Sequence, residues 1–237
     1  MDAVGRNNLS MFLAEYYLSD SMKRPDPADL RDLGGLLTVD GRRVRSGVIY
    51  RSRQLADVPC ESTSALLEGL RIRTVVDLRT DLERSEAGWF EDHLLETVNH
   101  RRLPISADGV PVYGHLRAVG CRGTSSLYYH ILAHEGDSIK EWFRLLADEK
   151  NLPVLVHCVA GRHRTGLLTA VTLLSIGVKR TEVERDYLIS CPGREDCFKA
   201  LVAIIEELGG VEATLSAMGV DDGVISRIKE NLLESVG

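Results

Sequence analysis

The strongest constraint on the fold is a junction where a short apolar run passes into a polar turn and then into a second apolar run. The run LPVLV (152–156) has the length and β-branched content of a buried strand, and LLTAVTLLSIG (167–177) has the length of a buried helix. The ten residues between them are HCVAGRHRTG (157–166). Since a strand that leads directly into a helix is the repeating unit of α/β proteins, this junction favours a parallel sheet covered by helices.

The polar turn has the composition of an anion-binding site. The first N–H groups of a helix have no acceptor within the helix, and the helix dipole adds positive charge there, so an anion is the natural occupant. Cys158 begins the turn, where these amides and the charges of Arg162 and Arg164 stabilise a thiolate. Gly161 allows the amides to point inward, and Gly166 allows the helix to approach its neighbours closely. The turn therefore predicts a nucleophile aimed at a bound oxyanion.

The rest of the chain alternates strand and helix patterns. These patterns predict one α/β domain over residues 26–237, with a central, mostly parallel sheet flanked by helices and a C-terminal helical cluster. Residues 1–25 are predicted to be a helical extension, since 9–18 has an amphipathic pattern and is followed by a proline-punctuated linker. The predicted elements are a strand ending at Arg51, a helix over 64–70, strands over 71–79 and 97–105, helices within 125–150 and a last helix over 221–235.

Composition and charge exclude several classes of protein. The formal net charge is -6, which argues against a general nucleic-acid binder, so anion binding must be local. Arginines account for 23 of the 29 basic residues, a bias compatible with phosphate chemistry. The five cysteines are unpatterned, which indicates free thiols in a reducing compartment, and with no secretory signal or membrane-spanning run we expect a cytoplasmic protein. The sequence contains no convincing metal-ligand cluster.

The pattern H-C-x-x-G-x-x-R-T-G at 157–166 resembles the signature of the protein tyrosine phosphatase superfamily. The segments 30–35, 40–52 and 75–83, with the tail LSAMGV (215–220), resemble the bacterial and fungal phosphatases related to mycobacterial tyrosine phosphatase B. The resemblance implies the three-layer phosphatase fold. It also implies a phosphorylated substrate, which in that group includes phosphotyrosine, phosphoserine or phosphothreonine, and phosphoinositides.

One pair of residues departs from that group. The group commonly carries Lys-Asp before the signature arginine, whereas this chain has Arg162 and His163. A basic pair at this place resembles the small atypical phosphatases that act on inositol pyrophosphates. The resemblance therefore predicts the fold and a phosphatase activity, and it leaves protein, lipid and inositol phosphate substrates open.

The resemblance also implies a role for each residue of the loop. Cys158 attacks phosphorus and forms a cysteinyl-phosphate that water hydrolyses, with no cofactor and no metal. Thr165 hydrogen-bonds the Cys158 sulfur and eases its departure, while His157 and Gly166 hold the loop. The phosphate oxygens are bound by the Arg164 guanidinium and by the amides of Val159, Ala160, Gly161, Arg162, His163 and Arg164.

Two residues are candidates for the general acid that protonates the leaving group. Asp108 lies in a long aperiodic segment, 106–123, after the Leu-Pro pair where the family places its acid loop. His163 replaces the loop aspartate proposed as an acid in some relatives, although a neutral or cationic role in substrate binding is the other interpretation. The sequence alone leaves both candidates open.

Three functions remain compatible with the sequence. The first is an active phosphatase, the second a phosphoryl-binding pseudophosphatase, and the third a sulfurtransferase or arsenate reductase, which also place a cysteine in an anion-binding loop. Arg164, Thr165 and Gly166 fit phosphate ester hydrolysis better than the third function. We also expect Asp32 and Arg51 to fix the N-terminal segment to the sheet rather than to act in the site.

Overall fold

The structure is a computed structural model that describes residues 29–87, 97–106 and 122–234. The predicted helical extension over 1–25 and the candidate acid Asp108 lie outside these described residues.

Five strands of the described chain form one sheet. They are β1 (Arg31–Asp32), β2 (Ile49–Ser52), β3 (Thr74–Asp77), β4 (Asn99–Arg102) and β5 (Val154–His157), and their order across the sheet is β1-β2-β5-β3-β4. β1 pairs antiparallel with β2, and the other three pairings are parallel. Every residue of β3 and β5 is buried, and apolar residues make up most of β5 and the middle of β3. The predicted mostly parallel sheet is confirmed.

Nine helices cover this sheet in the described ranges. Alternate residues of a central strand face opposite layers: Val75 packs with Leu67 in one apolar cluster, whereas Val76 packs in the larger cluster with the helices that follow β4. The three-layer α/β arrangement is thus present. The helices are α1 (Cys60–Gly69), α2 (Asp81–Ala87), α3 (Arg122–His134), α4 (Gly136–Ala147), α5 (His163–Ser175), α6 (Arg180–Ser190), α7 (Glu195–Glu207), α8 (Val211–Ala217) and α9 (Asp222–Leu232). None of them is long and apolar enough to cross a membrane.

Among the differences from the predicted helices, the presence of α2 and the end of α9 have local causes. Helix α2 was not predicted; it begins at a Thr-x-x-Glu capping box, in which the amide of Thr80 donates to Glu83 Oε2 over 2.9 Å. The last helix begins as predicted, since the Asp221 carboxylate accepts from the amide of Val224. It ends at Leu232 because Leu233 is extended and pairs with Val44.

The parallel pairing brings the carboxyl ends of three strands to one edge of the sheet. Ser52 of β2 and Asp77 of β3 are both in register with His157, the last residue of β5. In open α/β sheets, ligands bind outside these strand ends. The polar turn that begins at Cys158 therefore lies at the edge where a ligand site is expected.

Candidate active site

The turn between β5 and α5, which we call the signature loop (residues 158–164), is buried at its start and partly open in its middle. Cys158 is only 2% exposed, while Val159 and Ala160 are half-buried. Helix α5 begins at His163, so Arg164 lies within its first turn. A ligand would therefore reach the loop from solvent and meet the first amides of the helix.

Two carbonyl groups of the loop are held by neighbours outside it. The backbone amide of Gln54 donates to the carbonyl oxygen of Val159 over 2.9 Å, and Nη2 of Arg51 donates to that of Gly161 over 2.8 Å. In a trans peptide the N–H points opposite to the C=O, so each bond directs the following amide to the other side of the chain. These bonds accordingly set the direction of two of the amides that the sequence predicts as phosphate donors.

The two glycines of the signature are required by close contacts. Gly161 has a φ of +67°, and a Cβ there would lie 2.5 Å from the carbonyl oxygen of Ser52. At Gly166 a Cβ would lie 3.2 Å from the Tyr187 ring and 3.3 Å from Nη2 of Arg51. Gly166 was predicted to let the helix approach its neighbours closely. One of these neighbours is Arg51, the arginine that binds Gly161.

The signature arginine is held by an ion pair that the sequence analysis did not identify. Arg164 Nη1 and Nη2 lie 2.7 Å and 2.5 Å from the two carboxylate oxygens of Glu83, and Nη1 also donates to the carbonyl oxygen of Ile105. Burial acts to raise the pKa of Glu83, but the contact with Arg164 outweighs it and the pKa is lowered. The Thr-x-x-Glu pattern signals the helix start, but no sequence signal links Glu83 to Arg164.

Buried positive charge exceeds buried negative charge around the loop. Among the described residues, five arginines are buried, against two buried carboxylates, Asp77 and Asp186, with Glu83 half-buried beside them. A buried charge is costly unless a partner compensates it, so this arrangement favours an anion in the loop. The five arginines are Arg51, Arg79, Arg84, Arg162 and Arg164.

His157 lies behind the loop, in agreement with its predicted supporting role. Its Nδ1 is 3.3 Å from the carbonyl oxygen of Cys158 and 3.8 Å from Asp77 Oδ1. Burial lowers the pKa of His157, more than Asp77 raises it. The neutral ring therefore donates from Nδ1 to the loop. Asp77 forms a two-pronged ion pair with Arg79, which accounts for both residues as a buried strand end.

His163 is placed differently from a proton donor. Its side chain is 2% exposed, and Nδ1 is 3.1 Å from the hydroxyl of Tyr128, which also contacts the hydroxyl of Tyr187. Burial and, secondarily, the charges of Arg194, Arg162 and Arg164 lower the pKa of His163 to about 3. The ring is neutral at physiological pH, so the geometry supports neither a cationic contact to substrate nor His163 as the general acid.

The Thr165 hydroxyl does not make the contact expected from the resemblance. Thr165 is fully buried in the first turn of α5, and within the described part of the chain its Oγ1 has no hydrogen-bond partner. The predicted bond to the Cys158 sulfur is therefore absent from the structure. The Thr165 hydroxyl can therefore still donate a hydrogen bond when negative charge develops in the loop.

The expectation for Asp32 and Arg51 is half confirmed. The Asp32 carboxylate accepts from the amides of Gly34 and Gly47, each over 2.8 Å, and so fixes the N-terminal segment. The expectation for Arg51 is wrong because its guanidinium is buried and binds the loop at Gly161. The described residues contain no group of three or more histidine, cysteine, aspartate or glutamate side chains placed to hold a metal ion.

Comparison with known proteins places these residues in a family. The model of the Tyrosine phosphatase family matches residues 26–202, which include the whole signature loop. The chain is similar to a Cupriavidus necator protein named among the tyrosine-protein phosphatases, with 28% identity over 204 residues that cover 81% of this chain and 70% of that protein. It is also similar to a tyrosine-protein phosphatase of Nostoc commune, 25% identical over 139 residues, 44% of this chain and 47% of that protein.

Two solved structures are similar at lower identity. TpbA of P. aeruginosa is 23% identical, with 75% of this chain and 90% of that one covered and a TM-score of 0.41. The core catalytic domain of the PP-IP phosphatase SIW14 from S. cerevisiae is 17% identical, with 68% and 83% covered and a TM-score of 0.42. The match to the family model spans well over half of the sequence. The chain therefore belongs to the tyrosine phosphatase family.

Proposed function

We propose that the protein is a cysteine-dependent phosphatase that hydrolyses phosphate monoesters, phosphotyrosine first among them, through a cysteinyl-phosphate intermediate. One observation carries the proposal: a buried cysteine begins an amide-lined loop that contains the buried Arg162 and Arg164 and is contacted by the buried Arg51. Because His157 and His163 are neutral, they do not add to this positive charge. A phosphate dianion is the kind of ligand that buried cations and inward-facing amides favour.

The proposed chemistry has two steps at Cys158. In the first, the thiolate sulfur forms a bond to phosphorus while the bond from phosphorus to the ester oxygen breaks, and the departing oxygen takes a proton from a general acid. In the second, water attacks the cysteinyl-phosphate, the sulfur leaves as a thiolate, and inorganic phosphate is released. The Thr165 hydroxyl, buried and without a partner in the described residues, is suited to donate to the sulfur in the second step.

The loop amides and Arg164 are the proposed phosphate ligands. The amides of Val159, Ala160, Gly161, Arg162, His163 and Arg164 bind the non-bridging oxygens, and the bond from the Gln54 amide to the Val159 carbonyl favours that orientation. Glu83 holds Arg164 on both terminal nitrogens, so the guanidinium is oriented before a ligand arrives. Donors fixed in this way lower the barrier because little reorganisation is needed during the reaction.

Asp108 is proposed as the general acid. The low pKa of the buried His163 counts against the rival candidate, and Asp108 lies three residues after Ile105, whose carbonyl oxygen accepts from Arg164. Asp108→Asn tests this role. We expect it to slow phenyl phosphate, which has a poor leaving group, far more than p-nitrophenyl phosphate, which has a good one. Equal slowing of the two substrates would contradict the assignment.

The deciding experiment compares the unmutated protein with Cys158→Ser on p-nitrophenyl phosphate at mildly acid pH. We expect turnover by the first and none by the second, while the serine variant still binds tungstate as a phosphate analogue, because the arginines and amides are unchanged. Tungstate binding without turnover by the unmutated protein would support a pseudophosphatase instead. Turnover that persists in Cys158→Ser would contradict the proposed nucleophile.

The substrate class is then separated by three competing substrates at equal concentration. A phosphotyrosine peptide, a phosphoinositide in mixed micelles and an inositol pyrophosphate differ in charge and in the width of pocket they require. We expect the highest kcat/KM for the phosphotyrosine peptide. A higher value for either of the other two would assign the protein to the lipid or inositol phosphate class.

A further inference from the structure

Arg51 is a buried cation that touches the signature loop from behind, and the mechanism proposed above does not use it. Its side chain is 1% exposed at the carboxyl end of β2. Nη2 donates to the carbonyl oxygen of Gly161 over 2.8 Å, and Nη1 donates to Asp186 Oδ2 over 2.8 Å and to Thr169 Oγ1 over 3.2 Å. One planar side chain thus connects the sheet, the loop and the two helices α5 and α6.

The bond to Gly161 acts on a peptide group that faces the ligand. With the carbonyl held toward Arg51, the N–H of Arg162 in the same peptide points the other way, to the inside of the loop. The surrounding backbone is shaped to allow this contact, since Gly161 lies against Ser52 of the same strand and Gly166 leaves room for Nη2. The orientation of the peptide therefore depends on Arg51 and not on loop residues alone.

Asp186 holds the Arg51 guanidinium in place and also binds a second arginine. Arg31 of β1 donates to Asp186 Oδ1 through Nη2 over 3.1 Å, and through Nη1 to Ser190 over 2.7 Å. Arg31 thus shares the carboxylate with Arg51, and its side chain is 15% exposed, but the contacts described for it are to α6 rather than to the loop. Two arginines thus pair with Asp186, and Arg51 is the one described as also binding a loop carbonyl.

We propose that Arg51 is a positioning residue for phosphate binding: by holding the Gly161 carbonyl, it presets the amide of Arg162 as an oxyanion donor. The inference rests on the proposed function of the loop as a phosphate site. Arg51 is not a catalytic residue in this scheme, since the guanidinium acts through the peptide group. Asp186 sets the position of Arg51, and so the affinity of the loop for an oxyanion depends on a carboxylate in α6.

The test compares Arg51→Met with Arg31→Met, each combined with Cys158→Ser, by calorimetric titration with sodium tungstate. A purely structural role predicts that both arginines act alike, since each loses an ion pair with Asp186. We expect Arg51→Met to weaken tungstate binding about 10- to 100-fold, because one donor is lost and the loop is free to shift. Arg31→Met is expected to leave the affinity within about twofold, the range for a residue that does not contact the loop. Equal weakening in both variants would overturn the proposal.

A variant that conserves the charge of Arg51 separates the effect of geometry from that of electrostatics. It also keeps the test possible if Arg51→Met does not fold. Arg51→Lys keeps the positive charge but lacks the planar pair of donors that reaches Asp186 and Gly161 together, so we expect an intermediate affinity for tungstate. If circular dichroism shows that Arg51→Met does not fold, Arg51→Lys decides. A tungstate affinity of Arg51→Lys equal to that of the protein that retains Arg51 would overturn the proposal.

Turnover by the variants with Cys158 intact distinguishes this inference from the proposed function. We expect Arg51→Met to reduce kcat/KM for p-nitrophenyl phosphate by a factor similar to its effect on tungstate affinity, with Arg31→Met close to the unmutated protein. If the unmutated protein shows no turnover, the proposed function fails, and the tungstate titration still decides on Arg51. If the unmutated protein is active and Arg51→Met matches it in both measurements, the inference alone fails.

Discussion

Replacing Gly161 by alanine tests whether the shape of the loop depends on strand β2. The added Cβ would lie 2.5 Å from the carbonyl oxygen of Ser52, whereas an ordinary contact begins near 3.4 Å, so the loop and the strand must separate by about 0.9 Å. Neither side is a flexible side chain, because the clashing atoms belong to the backbone of Ser52 and Arg53 at the end of β2. The positive φ of +67° adds a conformational cost for alanine of about 1–2 kcal/mol.

These terms predict a loss of stability and a larger loss of activity. Overpacking against a rigid neighbour typically costs about 1–3 kcal/mol, so with the backbone cost we expect the free energy of unfolding to fall by about 2–5 kcal/mol. A displacement near 1 Å at a reacting group costs on the order of 100-fold in rate, and we expect a loss of that size in kcat/KM. Urea denaturation and p-nitrophenyl phosphate hydrolysis measure the two quantities on the same preparation.

Gly35 supplies the matched control. Its φ is +82°, and a Cβ there would have nothing within 4 Å. Gly35→Ala therefore carries the backbone cost without the clash, and we expect a loss of about 1–2 kcal/mol with kcat/KM unchanged. The reasoning is refuted if Gly161→Ala retains as much activity as Gly35→Ala, because the contact with Ser52 would then not shape the loop.

Two further predictions concern the ion pair and the buried imidazole. Glu83→Ala removes both bonds that orient Arg164 and should lower kcat/KM for p-nitrophenyl phosphate about tenfold or more. Asp81→Ala, in the same helical turn but with a largely exposed carboxylate, should change kcat/KM little, and equal effects would contradict the assigned role. The pKa of His163 is lowered to about 3 when folded, so the unfolded chain binds more protons at this site between pH 3 and its ordinary pKa near 6.5. The free energy of unfolding should therefore fall as the pH drops from 6.5, by up to about 1.4 kcal/mol per pH unit from this residue. Urea denaturation at pH 6.5 and 5.0 should show a smaller fall in His163→Gln, whose side-chain amide can still hydrogen-bond Tyr128; an identical fall in both proteins would contradict the buried neutral state.

The central elements of the fold were predictable because their sequence signals are local. Strands β3 and β5 are buried throughout, and their adjacent apolar residues, Val75 and Val76 in β3 and 154–156 in β5, are the local signal of buried strands. The loop was predictable because a strand, a polar turn and a helix follow one another without interruption. By contrast, β1 contains two residues and forms through its pairing with β2, so no local sequence pattern predicts it.

The contacts that position the loop were not predictable, because they join residues far apart in the chain. Arg51 binds a carbonyl 110 residues away and a carboxylate 135 residues away, and Glu83 and Arg164 are separated by 81 residues. Charge pattern and spacing do not encode such pairs, because the strand order brings them together only after the sheet has formed. The sequence therefore predicts candidate phosphate ligands within the loop, and the structure was needed to find which residues hold the loop in place.

The pair Arg162 and His163, which departs from the pattern of the related phosphatases, is likewise reinterpreted by burial. From the sequence, the two residues are interpreted as two additional basic residues of the loop. In the structure Arg162 is 4% exposed and His163 is 2% exposed, and the histidine is neutral and hydrogen-bonded to Tyr128. Only Arg162 therefore adds charge to the loop, while His163 links the start of α5 to α3. Relative to an acidic residue at position 163, the neutral, buried histidine raises the net positive charge of the loop by one unit, which would strengthen the attraction for the phosphate dianion that we propose as its ligand, without exposing a cation to solvent.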